Sequence, residues 1–313
     1  MRARFCSLLA VVFVASTGDA AAEKAIWIDT DPSIGPPWRE VDDAYALIIA
    51  FHSPELRIVG ISTTYGNVGV RRATAVARDL RRRFLPKPVE VFAGTGSRRD
   101  IAQATVATKA LADALRKERL TYIALGPLTN LASFLRLHPA LARQIERVVF
   151  VGGRSPGRRL ALGPNERLHI HDANVVKDPA AVRLVLQSGI PLTLAPVETS
   201  SRLLLNADDL RAISRKSTAG EFLARRSQGW LWFWTKFIHE DGGPIFDVLA
   251  VLSQLAPELV RMERRFAYVD DAGNLIASRA RKTGARRVHF CTAVTADAKR
   301  LLLPRLQAPP ADP

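Results

Sequence analysis

Short apolar runs recur along this chain, each ending in a polar or glycine-containing turn and followed by a stretch of helical periodicity. The runs cover residues 26–29, 57–63, 89–93, 120–125, 148–151 and 192–195, and the helical patterns cover 44–52, 70–83, 104–116, 129–137 and 179–187. A strand wetted on one face alternates apolar with polar residues, whereas a strand covered on both faces does not. Unbroken apolar strands alternating with helices therefore predict an α/β fold: a single-domain, open, mostly parallel sheet flanked by helices. Residues 206–259 read as helical, and 266–269 and 288–291 read as late strands. No low-complexity linker or internal repeat divides the 313 residues, which suit one large domain. We place it at 23–306, with 307–313 as a flexible, Pro-rich tail.

The ends of those strands carry the candidate chemistry. Ile26-Trp27-Ile28-Asp29-Thr30-Asp31 runs from a buried strand into two carboxylates, and Val41-Asp42-Asp43-Ala44 opens the first helix with two more. Open α/β sheets bind ligands outside the carboxyl ends of their strands. Carboxylates gathered there repel one another unless a cation lies between them, and oxygen-only donors suit a hard ion such as Ca²⁺ or Mg²⁺. Asn67 follows the second strand, residues 126–130 the fourth, and Asp172 and Asn174 the fifth, while Asp247 precedes an apolar helix. Singly, Asp42, Thr129 and Asp247 each fit a helix N-cap. Together they fit one ligand site better.

The first residues read as an address. Arg2 and Arg4 precede an apolar run at 8–15, and Ala20-Ala21-Ala22 offers small residues for cleavage before Glu23. That is the pattern of a secretory signal peptide at 1–22, with an apolar run too short to span a bilayer. The mature chain is expected to be periplasmic or secreted, without a membrane span. Cys6 would leave with the leader, so Cys291 would be the single thiol and no internal disulfide would form. The net charge of +15 comes mainly from arginines scattered along the chain. With no nucleic-acid-binding module beside it, that charge reads as a basic solvated surface, and no nucleic-acid partner is expected.

Taken in order, these residues resemble the nucleoside hydrolase family (inosine–uridine preferring and relatives). Its opening Asp-Thr-Asp-Pro-Gly-x-Asp-Asp-Ala is matched by Asp29-Thr30-Asp31-Pro32 and Asp42-Asp43-Ala44. Its Thr-Thr-x-x-Gly-Asn is matched at Thr63-Thr64-Tyr65-Gly66-Asn67, and its Gly-Pro-Leu-Thr-Asn-Leu-Ala at residues 126–132. Gly152-Gly153 and Asp178-Pro179-Ala180-Ala181 follow in the same order. The resemblance implies a hydrolase of the N-glycosidic bond of ribonucleosides, with tightly bound Ca²⁺ and a small-molecule nucleoside as partner. It also implies roles. Asp31, Asp43, the Leu125 carbonyl and Asp247 would bind the metal, and Asp31 would take a proton from a metal-bound water. Asp42 and Asn67 would hold ribose hydroxyls, and Asp172 and Asn174 the 5′ side. Relatives are commonly dimers or tetramers, so a homo-oligomer is an expectation too.

The chain departs from the family pattern in three places. Ser33 replaces the family's Gly, and residues 33–41 lengthen the path to Asp42-Asp43, so the two acidic halves meet only if this segment bulges out as a loop. Phe246 stands where a family member has a His near the leaving base, which leaves His239, Glu240 and Asp241 as nearby candidates to assist departure. Asp172 stands where the family usually has Glu. Trp38 in the added segment and Trp230, Trp232 and Trp234 are candidates to stack on the base, with a purine suggested, while core packing is the plainer reading of the last three. Two other readings compete: a weakly catalytic nucleoside- or sugar-binding relative, and a haloacid-dehalogenase-type phosphatase with Asp29 as nucleophile and Asp31 as acid.

Overall fold

The computed structural model describes residues 23–36, 39–85, 87–164, 166 and 168–308. The signal-peptide reading at 1–22, the stacking candidate Trp38 and residues 309–313 of the expected tail lie outside the described residues. Nine strands build one sheet: β1 (Lys24–Thr30), β2 (Leu56–Thr63), β3 (Val91–Ala93), β4 (Leu120–Ala124), β5 (Ile145–Val151), β6 (Leu192–Ala195), β7 (Val260–Val269), β8 (Leu275–Ser278) and β9 (Arg286–Val294). Their order across the sheet is β8-β7-β9-β6-β5-β4-β1-β2-β3. From β3 through β6 to β9 every neighbouring pair is parallel, and only β7 pairs antiparallel, with β9 on one side and β8 on the other. The mostly parallel sheet expected from the sequence is present. Its late strands are longer than the pattern suggested, and β8 went unseen because four residues after a turn carry no periodicity to read.

Alternation along β1 divides the core in two. Ile26 and Ile28 face the layer that holds helices α1 (Asp42–Phe51) and α2 (Val70–Phe84). Trp27 faces the other layer, with α3 (Val106–Lys117), α4 (Thr129–Leu137) and α5 (Pro179–Gln187). The Trp27 ring stacks on Phe92 at 5.7 Å and lies across Gly60 of β2, where an added Cβ would meet the ring at 2.4 Å. Helix α6 (Val248–Leu255) packs on α1 within the first layer, and α7 (Ala298–Gln307) also rests on α1. Each fully buried side chain of this size contributes about 1.5–3 kcal/mol, so α1, buried along its whole length, is a structural anchor as well as a carrier of Asp42 and Asp43.

The connections place the site. After β1 the chain adds β2 and β3 on one side, then returns to add β4, β5 and β6 on the other. The sheet therefore reverses direction at β1 and β4, and a crevice opens where their carboxyl ends diverge. Asp31 lies just past β1 and Leu125 just past β4, and the Leu125 N–H bonds the Asp29 carbonyl at 2.8 Å. Cys291 is buried on β9 with its thiol pushed up to about 12 by burial, which leaves it inert. No helix among the described residues is long and apolar enough to cross a membrane.

Candidate active site

The added segment does not hold the two acidic halves apart. Ser33 Oγ donates to the Glu40 carbonyl at 2.8 Å, closing the excursion at its base. Ile34 and Val41, at its two ends, are both buried. The Asp31 N–H then donates to Asp43 Oδ1 at 3.0 Å, and the Thr30 hydroxyl donates to the same oxygen. Ser33, in place of glycine, thus clasps the loop.

Asp42, Asp43 and Asp247 bring carboxylate oxygens within 4.8 Å of one another, and all three side chains are buried. Asp42 and Asp43 occupy the first turn of α1, where the helix dipole favours negative charge. Asp247 sits at the N-terminus of α6. None of the three acts as a cap: α1 is preceded by Val41, and Asp247 makes no side-chain capping bond. Thr129, the other capping candidate, instead donates to Asp178 Oδ2 at 2.6 Å. Burial raises all three carboxyls above their ordinary range, and mutual repulsion adds to the rise at Asp42 and Asp247. Asp42 Oδ1 is buried without a hydrogen-bond donor. Crowded, buried oxygens with one left unpaired fit a hard divalent cation, so the acidic cluster can hold a metal.

Asp31 stands beside this trio rather than inside it. Its Oδ2 accepts the Asn67 N–H at 2.6 Å, and burial followed by the charge of Asp43 raises its pKa well above the usual range. Two glycines make room for it. An added Cβ at Gly66 would fall 1.7 Å from Asp31 Oδ2, and one at Gly126 would fall 2.7 Å from Oδ1. Asn67 ties the parts together, since its side-chain amide donates to Asp43 Oδ2 at 3.2 Å and its carbonyl accepts from Arg39 at 3.2 Å.

A cleft of about 290 Å³ opens over these groups. Glu40, Asp42, Asn67, Asp172, Asn174 and Asp247 give it polar walls, and Val151, Ile170, Val197 and Phe246 give it apolar ones. Asn174 donates from Nδ2 to the carbonyls of Leu125 at 2.6 Å and Val151 at 3.1 Å. The Leu125 oxygen keeps a second lone pair for a ligand. Asp172 accepts the Gly153 N–H at 2.6 Å, and burial pushes its pKa up to about 7.

Sequence reasoning missed two titratable residues of this cleft, Glu40 and His171, along with apolar ones such as Ile170 and Val197. Glu40 is pushed up to about 7, by burial and then by Asp43, and its Oε2 has no donor. Its signal was present, a carboxylate two residues before Asp42, but it lay in a segment read only as a bulge. The three described stacking candidates, Trp230, Trp232 and Trp234, are placed elsewhere. Trp230 packs on Tyr45 at 6.3 Å and Trp234 on Phe246 at 6.1 Å, both buried, while Trp232 is half exposed, and none lines the cleft. The aromatic argument for a purine goes with them. His239 is exposed and outside the cleft, and Glu240 accepts the Gly163 N–H at 2.8 Å. Asp29 cannot be a phosphatase nucleophile here. It is fully buried beneath the site, with Oδ1 accepting from Ser62 at 2.6 Å and Asn130 at 2.7 Å.

Comparison with known proteins agrees with this layout. The chain is 28% identical over 265 residues to the pyrimidine-specific ribonucleoside hydrolase RihA of Citrobacter koseri, covering 74% of this chain and 81% of the relative. It is 29% identical over 285 residues to the non-specific ribonucleoside hydrolase RihC of Klebsiella pneumoniae, covering 80% and 86%. The fold matches the plant nucleoside hydrolase PpNRh1 with a TM-score of 0.76 at 23% identity, over 92% of this chain and 100% of that one. The family pattern described as inosine-uridine preferring nucleoside hydrolase matches residues 26–302, nearly the whole described chain, and by that extent this protein belongs to the nucleoside hydrolases, enzymes that hydrolyse the N-glycosidic bond of nucleosides.

Proposed function

We propose that the protein is an exported, Ca²⁺-dependent hydrolase of ribonucleosides in which Asp31 is the general base. The observation that carries this reading is the placement of Asp31, cradled by Gly66 and Gly126 beside three buried carboxylates that cap no helix. Asp42, Asp43, Asp247 and the Leu125 carbonyl would hold the cation, with Asp31 adjoining them. Ca²⁺ accepts roughly 6–8 oxygens, which leaves positions for water and sugar hydroxyls. When bound, the ion supplies Lewis-acid polarisation of those oxygens. The chain's own residues supply the rest. Asp31, whose pKa is raised by burial and then by the charge of Asp43, is placed to accept a proton from the attacking water. The surrounding carboxylates stabilise positive charge developing on the sugar as the base departs. Asn67, Asp172 and Asn174 line the polar side of the cleft, and Phe246 with Ile170 and Val197 gives it an apolar wall. The named relatives differ in the base they accept, so the base is left to experiment. Export is supported by the arginines, apolar run and small residues of positions 1–22.

The test is release of reducing sugar from inosine, guanosine, adenosine, uridine and cytidine by the chain starting at Glu23, with Ca²⁺, with Mg²⁺ and with chelator. We expect Ca²⁺-dependent release that falls at least ~10³-fold in Asp31→Ala. Release unaffected by Asp31→Ala would reject Asp31 as the base, and release unchanged by chelator in metal-free protein would reject the cation's role.

A further inference from the structure

The described end of the added segment, residues 39–41, does more than lead into Asp42. It brings a further carboxylate into the cleft. Glu40 lines the same cavity as Asp42, Asn67 and Asp247, and its charge acts on Asp42, Asp43 and Asp247. The residue is held from both sides: its carbonyl accepts from Ser33 at 2.8 Å, and its neighbour Arg39 reaches the Asn67 carbonyl at 3.2 Å. Glu40 Oε2 is nevertheless buried with no donor. The Trp230 indole N–H lies near enough to the carboxyl to oppose the rise in its pKa, and it too is buried without a hydrogen-bond partner. An unpaired buried carboxylate oxygen is costly unless a ligand brings the missing donor.

We propose that Glu40 is a substrate-binding residue whose free Oε2 accepts a hydrogen bond from a hydroxyl of the substrate's sugar. The proposal rests on the ribonucleoside reading above. The donor is assigned to the sugar because Glu40 stands among the carboxylates, where a polyol belongs. The flat, largely apolar base suits the side lined by Val151, Ile170, Val197 and Phe246. The cation is not assigned to Glu40, because the compact oxygen group consists of Asp42, Asp43 and Asp247 without it.

The experiment compares wild type with Glu40→Gln and Glu40→Asp. Each is assayed for competitive inhibition by ribose and by 2-, 3- and 5-deoxyribose, using whichever ribonucleoside wild type hydrolyses, alongside bound Ca²⁺ and melting temperature. Glu40→Asp carries the comparison if Glu40→Gln does not fold. Losing a hydrogen bond to a charged acceptor should weaken inhibition by ribose roughly 10- to 100-fold. One of the three deoxy sugars should inhibit wild type and variant equally, and it names the hydroxyl that Glu40 holds. The same variant-to-wild-type ratio for ribose and all three deoxy sugars would overturn the proposal, and so would loss of Ca²⁺ in the variant. An active wild type with an indifferent Glu40 would leave the hydrolase reading standing, whereas a wild type that hydrolyses no nucleoside would overturn both.

Discussion

The sharpest consequence of this geometry is at a residue with no side chain. In Gly66→Ala the new Cβ would lie 1.7 Å from Asp31 Oδ2 and 2.6 Å from its Cγ. Real Cβ atoms essentially never approach within 3.0 Å, so the oxygen must retreat by at least 3.0 − 1.7 = 1.3 Å. Escape is blocked on the far side, where Asp31 Oδ1 already packs against Gly126, and the Asn67 N–H holds Oδ2 at 2.6 Å. The carboxylate therefore leaves its position or the loop carrying Gly66 shifts, and in either case the base is misplaced by about 1 Å. A displacement of that size costs on the order of 10²-fold in rate. Stability should fall by about 1.5–3 kcal/mol if the charged hydrogen bond from Asn67 is lost. Steady-state sugar release, measured well below the melting temperature, reads the effect. Gly69→Ala is the control, because a Cβ there meets nothing within 4 Å, and its activity should stay within about twofold of wild type. A Gly66→Ala enzyme within about threefold of wild type would show that catalysis does not depend on Asp31 where it lies.

Two further outcomes follow from burial and charge. Trp234→Phe should lower unfolding free energy by about 1–3 kcal/mol in urea titrations yet leave KM within twofold, because the ring packs behind Phe246 rather than in the cleft; a KM shift above tenfold would return Trp234 to the substrate. Asp172 has its pKa raised from 3.8 to about 7 on folding, so the folded state binds its proton more tightly, and this contribution to stability is lost as pH rises from about 4 to about 7. The shift corresponds to on the order of 4 kcal/mol, and Asp172→Asn should remove it. The variant's stability relative to wild type should then be greater at pH 7.5 than at pH 4, and an unchanged difference between the two pH values would refute the raised pKa.

What was legible in the sequence was local, and what was not legible was decided by tertiary contact. The strands β1 to β6 could be read because strands buried on both faces leave an unbroken apolar signature, and the acidic strand end could be read because Asp29, Asp31, Asp42 and Asp43 lie in two short stretches. Segment 33–41 could not be resolved by the same means. Whether it closes depends on the bond from Ser33 to Glu40, which a serine and a glutamate in a loop do not announce. The tryptophans were ambiguous for the same reason: Gly243, where an added Cβ would fall 2.2 Å from the Trp230 ring, makes the place into which that indole packs, and the glycine lies thirteen positions along the chain. The family resemblance grouped Asp31 with Asp43 and Asp247 and gave Asp42 to the sugar, whereas in the fold the carboxylates that crowd together are Asp42, Asp43 and Asp247, with Asp31 alongside, its amide joined to Asp43 Oδ1. Gly66 and Gly126 show why such grouping is hard to foresee. In the sequence each is one more turn glycine, permissive of many backbone shapes. In the fold both are spaces cut to the outline of one carboxylate, so the residues that fix the position of the proposed base are those with least chemistry of their own.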